Sequence, residues 1–228
     1  VTLADGTQIA ARQVICNADI WSTLALLPES MAPKWQRQRQ ATPACDGFLH
    51  RHLGCDATGL EDLPIHTVWV DDWERGIDAE RNAVVLSIPS VLDSSMAPAG
   101  RHVLHAYTPA SEPWELWADL ERDSAAYQQR KQERCAVFWR VLERRIPDIR
   151  DRCELIMEGT PLTHSHFLNV HQGSYGPALS AAEGIFPGVT TPLANFWLCG
   201  ASTFPGIGIP PVAASGAMAA HAVLGRET

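Results

Sequence analysis

The sequence has 228 residues, of which 46% are hydrophobic, and a formal charge of −8. That supplies a real core for one large or two small domains and excludes a disordered chain. The acidic balance, with no basic stripe against it, excludes a general nucleic-acid binder.

Six cysteines, at 16, 45, 55, 135, 153 and 199, form no CxxC and no paired metal spacing. Such usage fits a reduced, intracellular protein. No apolar run approaches the roughly 20 residues of a spanning helix, and no basic-then-apolar leader opens the chain. It begins in mid-strand, at Val1-Thr2-Leu3, so an upstream segment is expected.

Residues 1–3 and 8–11 flank Ala4-Asp5-Gly6-Thr7, and Asp-Gly between apolar stretches predicts a hairpin. A strand at 13–16 runs into Asn17-Ala18-Asp19, and 20–27 reads as a short helix stopped by Pro28. Residues 29–46 are polar and look like a crossing into another domain. Strands then recur at 47–53, 67–70, 84–88 and 103–107, a spacing that suits an antiparallel sheet better than βαβ repeats. One face of it could meet a long apolar substrate. From 113 to 146 the chain turns helical, with Trp114, Trp117, Tyr127, Phe138 and Trp139 among charges and Arg144-Arg145 in the last turn. Aromatic and basic residues together suit a helix resting on a bilayer, whereas an amphipathic aromatic stripe also suits packing on the sheet.

The densest signal lies at the end. Phe196 to Cys199 reads as a strand stopped by Gly200, a Gly/Pro-rich loop follows, and 212–224 is an Ala-rich helix that Gly225 should cap. Pro210 and Pro211 suit a first helical turn, and free N–H groups at such a start favour negative charge on a ligand. Ala213, Gly216, Ala217 and Ala220 form a thin face for a sheet or a planar ligand.

The string Gly200-Ala201-Ser202-Thr203-Phe204-Pro205-Gly206-Ile207-Gly208-Ile209-Pro210, followed by Ser215-Gly216, closely resembles the C-terminal FAD motif of the phytoene dehydrogenase-like flavoproteins. These include carotenoid desaturases, prolycopene isomerases and retinol saturases. The segment before it, Thr160-Pro161-Leu162-Thr163-His164 and Gly173-Ser174-Tyr175-Gly176-Pro177, resembles the isomerase-like branch, and 3–19 resembles the hairpin that returns to the FAD domain.

The resemblance implies an α/β fold with an α+β substrate part, the C-terminal portion of an FAD/NAD(P)-binding flavoprotein, whose N-terminal βαβ dinucleotide unit is missing here. Its domains would be a return segment at 1–28, a substrate-binding part at 29–195 and the FAD-binding strand, loop and helix at 196–228. FAD would be the cofactor, contacted by Gly200, Ala201, Gly208, Ile209, Pro210 and Val212. The substrate would be an apolar polyene, desaturated or isomerised, with peripheral contact to a plastid or bacterial membrane. No catalytic base is assigned, and oligomeric state and reaction direction stay open. Ala201 stands where many members carry Asp, and Pro211 removes one N–H from the helix start. No GxGxxG opens a βαβ unit, so the chain by itself is expected to bind FAD poorly. A lipid-binding or scaffolding module and an amine-oxidase relative are the alternatives.

Other chemistry reads as structural. His50 and His52, and again His164 and His166, alternate on probable elements, but without carboxylate or thiolate partners no metal is expected. Ser202 follows a strand as in a nucleophile elbow, yet residue 204 is Phe where that motif needs Gly. Cys199, a lone thiol, reads as packing.

Overall fold

The computed structural model describes residues 1–180, 182 and 184–227. In chain order the elements are β1 (Val14–Cys16), α1 (Ile20–Ala25), α2 (Pro33–Gln40), β2 (His50–Asp56), β3 (His66–Val70), β4 (Ala83–Ser87), β5 (Arg101–Tyr107), α3 (Ala125–Arg145), α4 (Ile149–Arg152), β6 (Cys153–Gly159), α5 (Pro161–Leu168), β7 (Phe196–Leu198) and α6 (Ile209–Glu227). They fall into two units, one of residues 1–44 and 175–228, the other of residues 45–174. The divisions lie at 44/45 and 174/175, inside the 29–195 span that the sequence suggested. The polar stretch after Pro28 carries α2 and stays with the first unit.

The second unit is a five-stranded antiparallel sheet in the order β3-β4-β5-β2-β6. Alternation puts Leu53 and Cys55 of β2, Val84 and Leu86 of β4, and Leu104 and Ala106 of β5 on one face, all buried. Against them pack Trp117 and the α3 residues Tyr127, Cys135, Phe138, Val141 and Leu142. Fully burying Phe138 or Leu142 contributes about 2–3 kcal/mol each. The aromatics of 113–146 are therefore largely core: Trp117 and Phe138 have no exposed surface. The helix is shorter than expected. Ser124 caps it by accepting the Tyr127 N–H, and 114–116 is a separate 3₁₀ turn.

Strand β6 escaped the sequence reading. Its run Cys153-Glu154-Leu155-Ile156-Met157-Glu158 does not alternate cleanly, because it is an edge strand whose apolar residues 155–157 are all about half exposed. Arg51 of β2 is buried beneath α3, paired with Glu158 and stacked 4.0 Å over Trp139. Glu112, wholly buried, accepts two hydrogen bonds of 2.8 Å from Arg134 and one of 3.0 Å from the Trp117 indole. A buried carboxylate persists only with such pairing.

In the first unit β1 and β7 lie parallel, Val14 to Phe196, Ile15 to Trp197 and Cys16 to Leu198. Asp19 caps α1 through the Ser22 N–H at 2.7 Å, while Ile20, Trp21 and Leu198 form a small core. The Asp-Gly turn is present: Gly6 has φ +86°, and Thr2 bridges Gln8.

Candidate functional site

Two groups of residues carry chemistry, one in each unit. In the first, β7 is followed by Cys199, whose N–H donates to the Cys16 carbonyl at 3.0 Å, so the tips of β1 and β7 stay side by side. Gly200 follows with φ +100°, and a Cβ there would stand 2.5 Å from Asn17 Oδ1. Only glycine fits both demands. Its N–H donates to Ser215 Oγ at 2.8 Å, and that hydroxyl donates to the Val212 carbonyl at 2.7 Å. Ser215 is wholly buried. This hydroxyl bolts the strand end to the second turn of α6 and is the physical content of the Ser215-Gly216 phrase.

The loop closes on itself through Thr203 N–H to Gly200 O at 3.0 Å and Gly206 N–H to Thr203 O at 2.9 Å. Ser202 is buried and accepts the Ile20 N–H at 3.1 Å, a tie between loop and α1 with no nucleophile geometry about it. Gly206 presses on the Phe186 ring, where a Cβ would come within 3.2 Å.

Helix α6 begins at Ile209, so Pro210 and Pro211 occupy its second and third positions. The first intrahelical bond is Val212 N–H to Gly208 O at 2.9 Å. Prolines offer no N–H. Among the described residues, the N–H groups of Ile207, Gly208 and Ile209 have no hydrogen-bond partner, and no acidic side chain lies in the first turn. Ile209 is 87% exposed. Gly208, at φ +109°, has only the Pro211 ring within 4 Å of where a Cβ would be. The helix start thus offers three consecutive donors just before the helix axis, and fewer beyond it than a proline-free turn would.

The structure brings the six residues together through one chain of bonds. Gly200 is tied to Ser215, Ser215 to Val212, and Val212 to Gly208, with Ala201 beside Gly200 and Ile209-Pro210 beside Gly208. One expectation changes: Gly225 lies inside α6 and does not cap it. The stripe Ala213, Ala217 and Ala220 is exposed, and the helix packs through Ser215 and Ala219. A cleft of about 760 Å³ lies beside β1, bounded by Arg12, Asn17, Leu27 and Met31, and none of residues 200–212 lines it.

In the second unit, the sheet face opposite α3 carries the other group. Val68 of β3, Val103 and Tyr107 of β5, His50 and His52 of β2, and Leu155 and Met157 of β6 share it by alternation and register. Val68, Leu155 and Met157 are more than half exposed. In its middle stand His50, His52 and His105. His52 faces His105 directly across the strands, and their rings stack at 4.3 Å. His50 Nδ1 lies 2.6 Å from His105 Nε2, and the His164 ring stands edge-on to His50 at 4.7 Å.

Burial, with the neighbouring imidazoles adding to it, pushes His50 down to about 3 and His105 down to about 4. Burial also lowers His52 and His164, the latter partly offset by its hydrogen bond to the Gly173 carbonyl. These imidazoles are neutral at pH 7. Sequence spacing found His50, His52 and His164 and missed His105. The signal for it lay in the pairing of two seven-residue strands, visible only once the register is known. His166 stands apart, against Phe167.

Glycine also explains the two phrases before the terminal motif. At Gly173, with φ +59°, a Cβ would fall 2.0 Å from the Pro161 carbonyl oxygen. The phrase at 173–177 itself straddles the division between the units.

Comparison with known proteins extends this picture. No family model matches the chain. It is 36% identical over 235 residues to the chloroplastic prolycopene isomerase of Arabidopsis thaliana, covering 98% of this chain and 38% of that protein. The Daucus carota counterpart is 35% identical over 232 residues, 98% of this chain and 37% of its own length. A lycopene-forming phytoene desaturase from a Paracoccus species is 27% identical, covering 98% of this chain and 46% of that protein. Among solved structures, an oxidoreductase from Methanosarcina mazei superposes with a TM-score of 0.54 at 15% identity, over 96% of this chain and 44% of that one.

The chain spans about two fifths of the length of the prolycopene isomerases it matches. Its fold is mixed α/β with an antiparallel α+β sheet unit, and it is shared with part of a solved oxidoreductase. Over nearly all of its length the chain is similar to carotenoid isomerases and, more distantly, to a carotenoid desaturase.

Proposed function

We propose that this chain forms part of an FAD-dependent oxidoreductase acting on carotenoid-like polyenes, with cis-trans isomerisation of the prolycopene type as its reaction. The observation that carries this reading is the run of three unpartnered N–H donors at 207–209, beside an open Gly208, in a chain 36% identical to a prolycopene isomerase. The residues fit the group: a Cβ-free approach, three donors and no acidic side chain in the first turn of α6.

A flavin held there would supply the redox chemistry: hydride acceptance from an allylic C–H or, in the reduced form, isomerisation of a conjugated double bond. The protein supplies electrostatics. Ile207, Gly208 and Ile209 would donate to negative charge on the ring, an effect of fixed backbone dipoles that needs no titrating side chain. Gly200 and Ser215 hold that loop in place before any ligand arrives, so little reorganisation is needed. The open sheet face, with Val68, Val103, Tyr107, Leu155 and Met157, would bind the apolar chain of the substrate.

A carotenoid arrives through lipid, so the protein would work at a membrane surface, in a plastid or on the cytoplasmic side of a bacterial membrane. Among the described residues no helix is long and apolar enough to cross a membrane. Peripheral contact is the form such an association would take.

The test uses the protein in its full natural length, incubated anaerobically with reduced FAD and tetra-cis-lycopene and followed by chromatography of the isomers. Conversion to all-trans product is expected, and Gly208→Val should lower flavin occupancy about tenfold, equivalent to about 1.4 kcal/mol. Bound flavin without any change in the polyene would overturn the substrate assignment. Unchanged flavin occupancy in Gly208→Val would overturn the placement of the cofactor.

A further inference from the structure

We propose that His50, His52 and His105 form a binding site for one divalent ion of the Zn²⁺ class, with its fourth position open to solvent. The sheet builds the site. Residues two apart on β2 point to the same face, and His105 sits directly across from His52 on the antiparallel neighbour. One nitrogen from each ring lies within 4.8 Å of the others. Tetrahedral Zn–N bonds place neighbouring nitrogens about 3.3 Å apart. The 2.6 Å contact between His50 and His105 must therefore open and the wider separations close as the rings turn onto the ion.

The ring environment favours this occupant. Imidazole nitrogens are ligands of choice for such an ion. His50 Nδ1 is engaged by His105, and His50 Nε2 is buried without a partner. A buried nitrogen in that condition is costly, and exchanging the two ring nitrogens leaves one of them orphaned either way. His164, edge-on to His50 and held by the Gly173 carbonyl, walls one side of the cluster. His52 is the exposed member, so the open position faces solvent. Three imidazoles without a carboxylate select a borderline ion over Mg²⁺ or Ca²⁺. Three protein ligands and one vacancy are the pattern of a site that takes up water or a small donor. The inference stands on the sheet register, and it places the ion on the same sheet face that is proposed to meet the polyene.

The experiment uses the tag-free chain, stripped with EDTA and titrated with Co²⁺ and Zn²⁺. One saturable equivalent is expected, with the visible absorption of tetrahedral Co²⁺ and its displacement by Zn²⁺. His52→Gln and His105→Gln should each weaken binding about 100-fold or more, since even outer-shell partners cost 10–100-fold. His66→Gln and His166→Gln, outside the cluster, should bind as the parent does. Circular dichroism and thermal unfolding of the metal-free variants confirm that each is folded. The proposal is overturned if no one-equivalent binding occurs, or if folded His52→Gln and His105→Gln bind as tightly as the parent. Since no flavin or polyene is present, either result leaves the assigned reaction untouched.

Discussion

Replacing Ser215 by Ala removes a single oxygen from a wholly buried position that joins β7 to α6. The Gly200 N–H, 2.8 Å from that oxygen, loses its acceptor. The Val212 carbonyl also loses a donor, but the helix supplies its own i+4 N–H there, so the second loss is small. Leaving one buried N–H unsatisfied costs about 1–3 kcal/mol. Because the chain divides into two units, a global unfolding free energy is the wrong observable. Native-state hydrogen exchange of the Gly200 amide reads the local opening directly. Its protection should fall about 5- to 150-fold in Ser215→Ala, the range that 1–3 kcal/mol implies, while amides of β2 and β5 keep theirs. Unchanged Gly200 protection would refute the view that this hydroxyl sets the loop.

Two further substitutions probe the packing. Gly200→Ala places a methyl 2.5 Å from Asn17 Oδ1 at a φ of +100°, and should lower the stability of the first unit by more than the roughly 1–2 kcal/mol of backbone strain alone. Adding Asn17→Ala should recover the excess and leave the strain, and exchange at the β1 and β7 amides reads both; a double variant no better than the single would refute the contact. Glu112→Ala strands the Arg134 guanidinium and the Trp117 indole, with Glu80, among the described residues, left as the sole carboxylate against Arg134. A loss of about 3–5 kcal/mol in the second unit is expected in urea unfolding followed by exchange of α3 amides. A loss below 1 kcal/mol would show that Glu80 suffices.

Much of the terminal site was legible in the chain itself. The glycines at 200 and 208 announce backbone angles that other residues avoid, and both adopt them, at φ +100° and +109°. Pro210 and Pro211 mark a first turn, and the helix does begin at Ile209. These are local properties: the allowed backbone angles of one or two residues decide them. Strands β3, β4 and β5 were legible from apolar runs between turn residues, whereas β2, with no β-branched residue, spans His50–Asp56 instead of the expected 47–53.

Contacts between distant segments were not legible. Nothing near Gly200 says that Ser215 will accept its N–H or that Asn17 will exclude its side chain, because those partners arrive through the parallel pairing of β1 with β7. Which face of α6 packs was not legible either: the helix is buried at Ser215 and Ala219, and its stripe of small residues lies exposed. His105 joined His50 and His52 only because β5 pairs with β2 in one register, and a slip of a single residue would have sent it to the opposite face. The sequence alone determined where the backbone must bend, where a helix must start and which family the chain resembles. Tertiary structure decided which side chains meet, since register and helix rotation are set by packing over the whole sheet and by no single stretch of it.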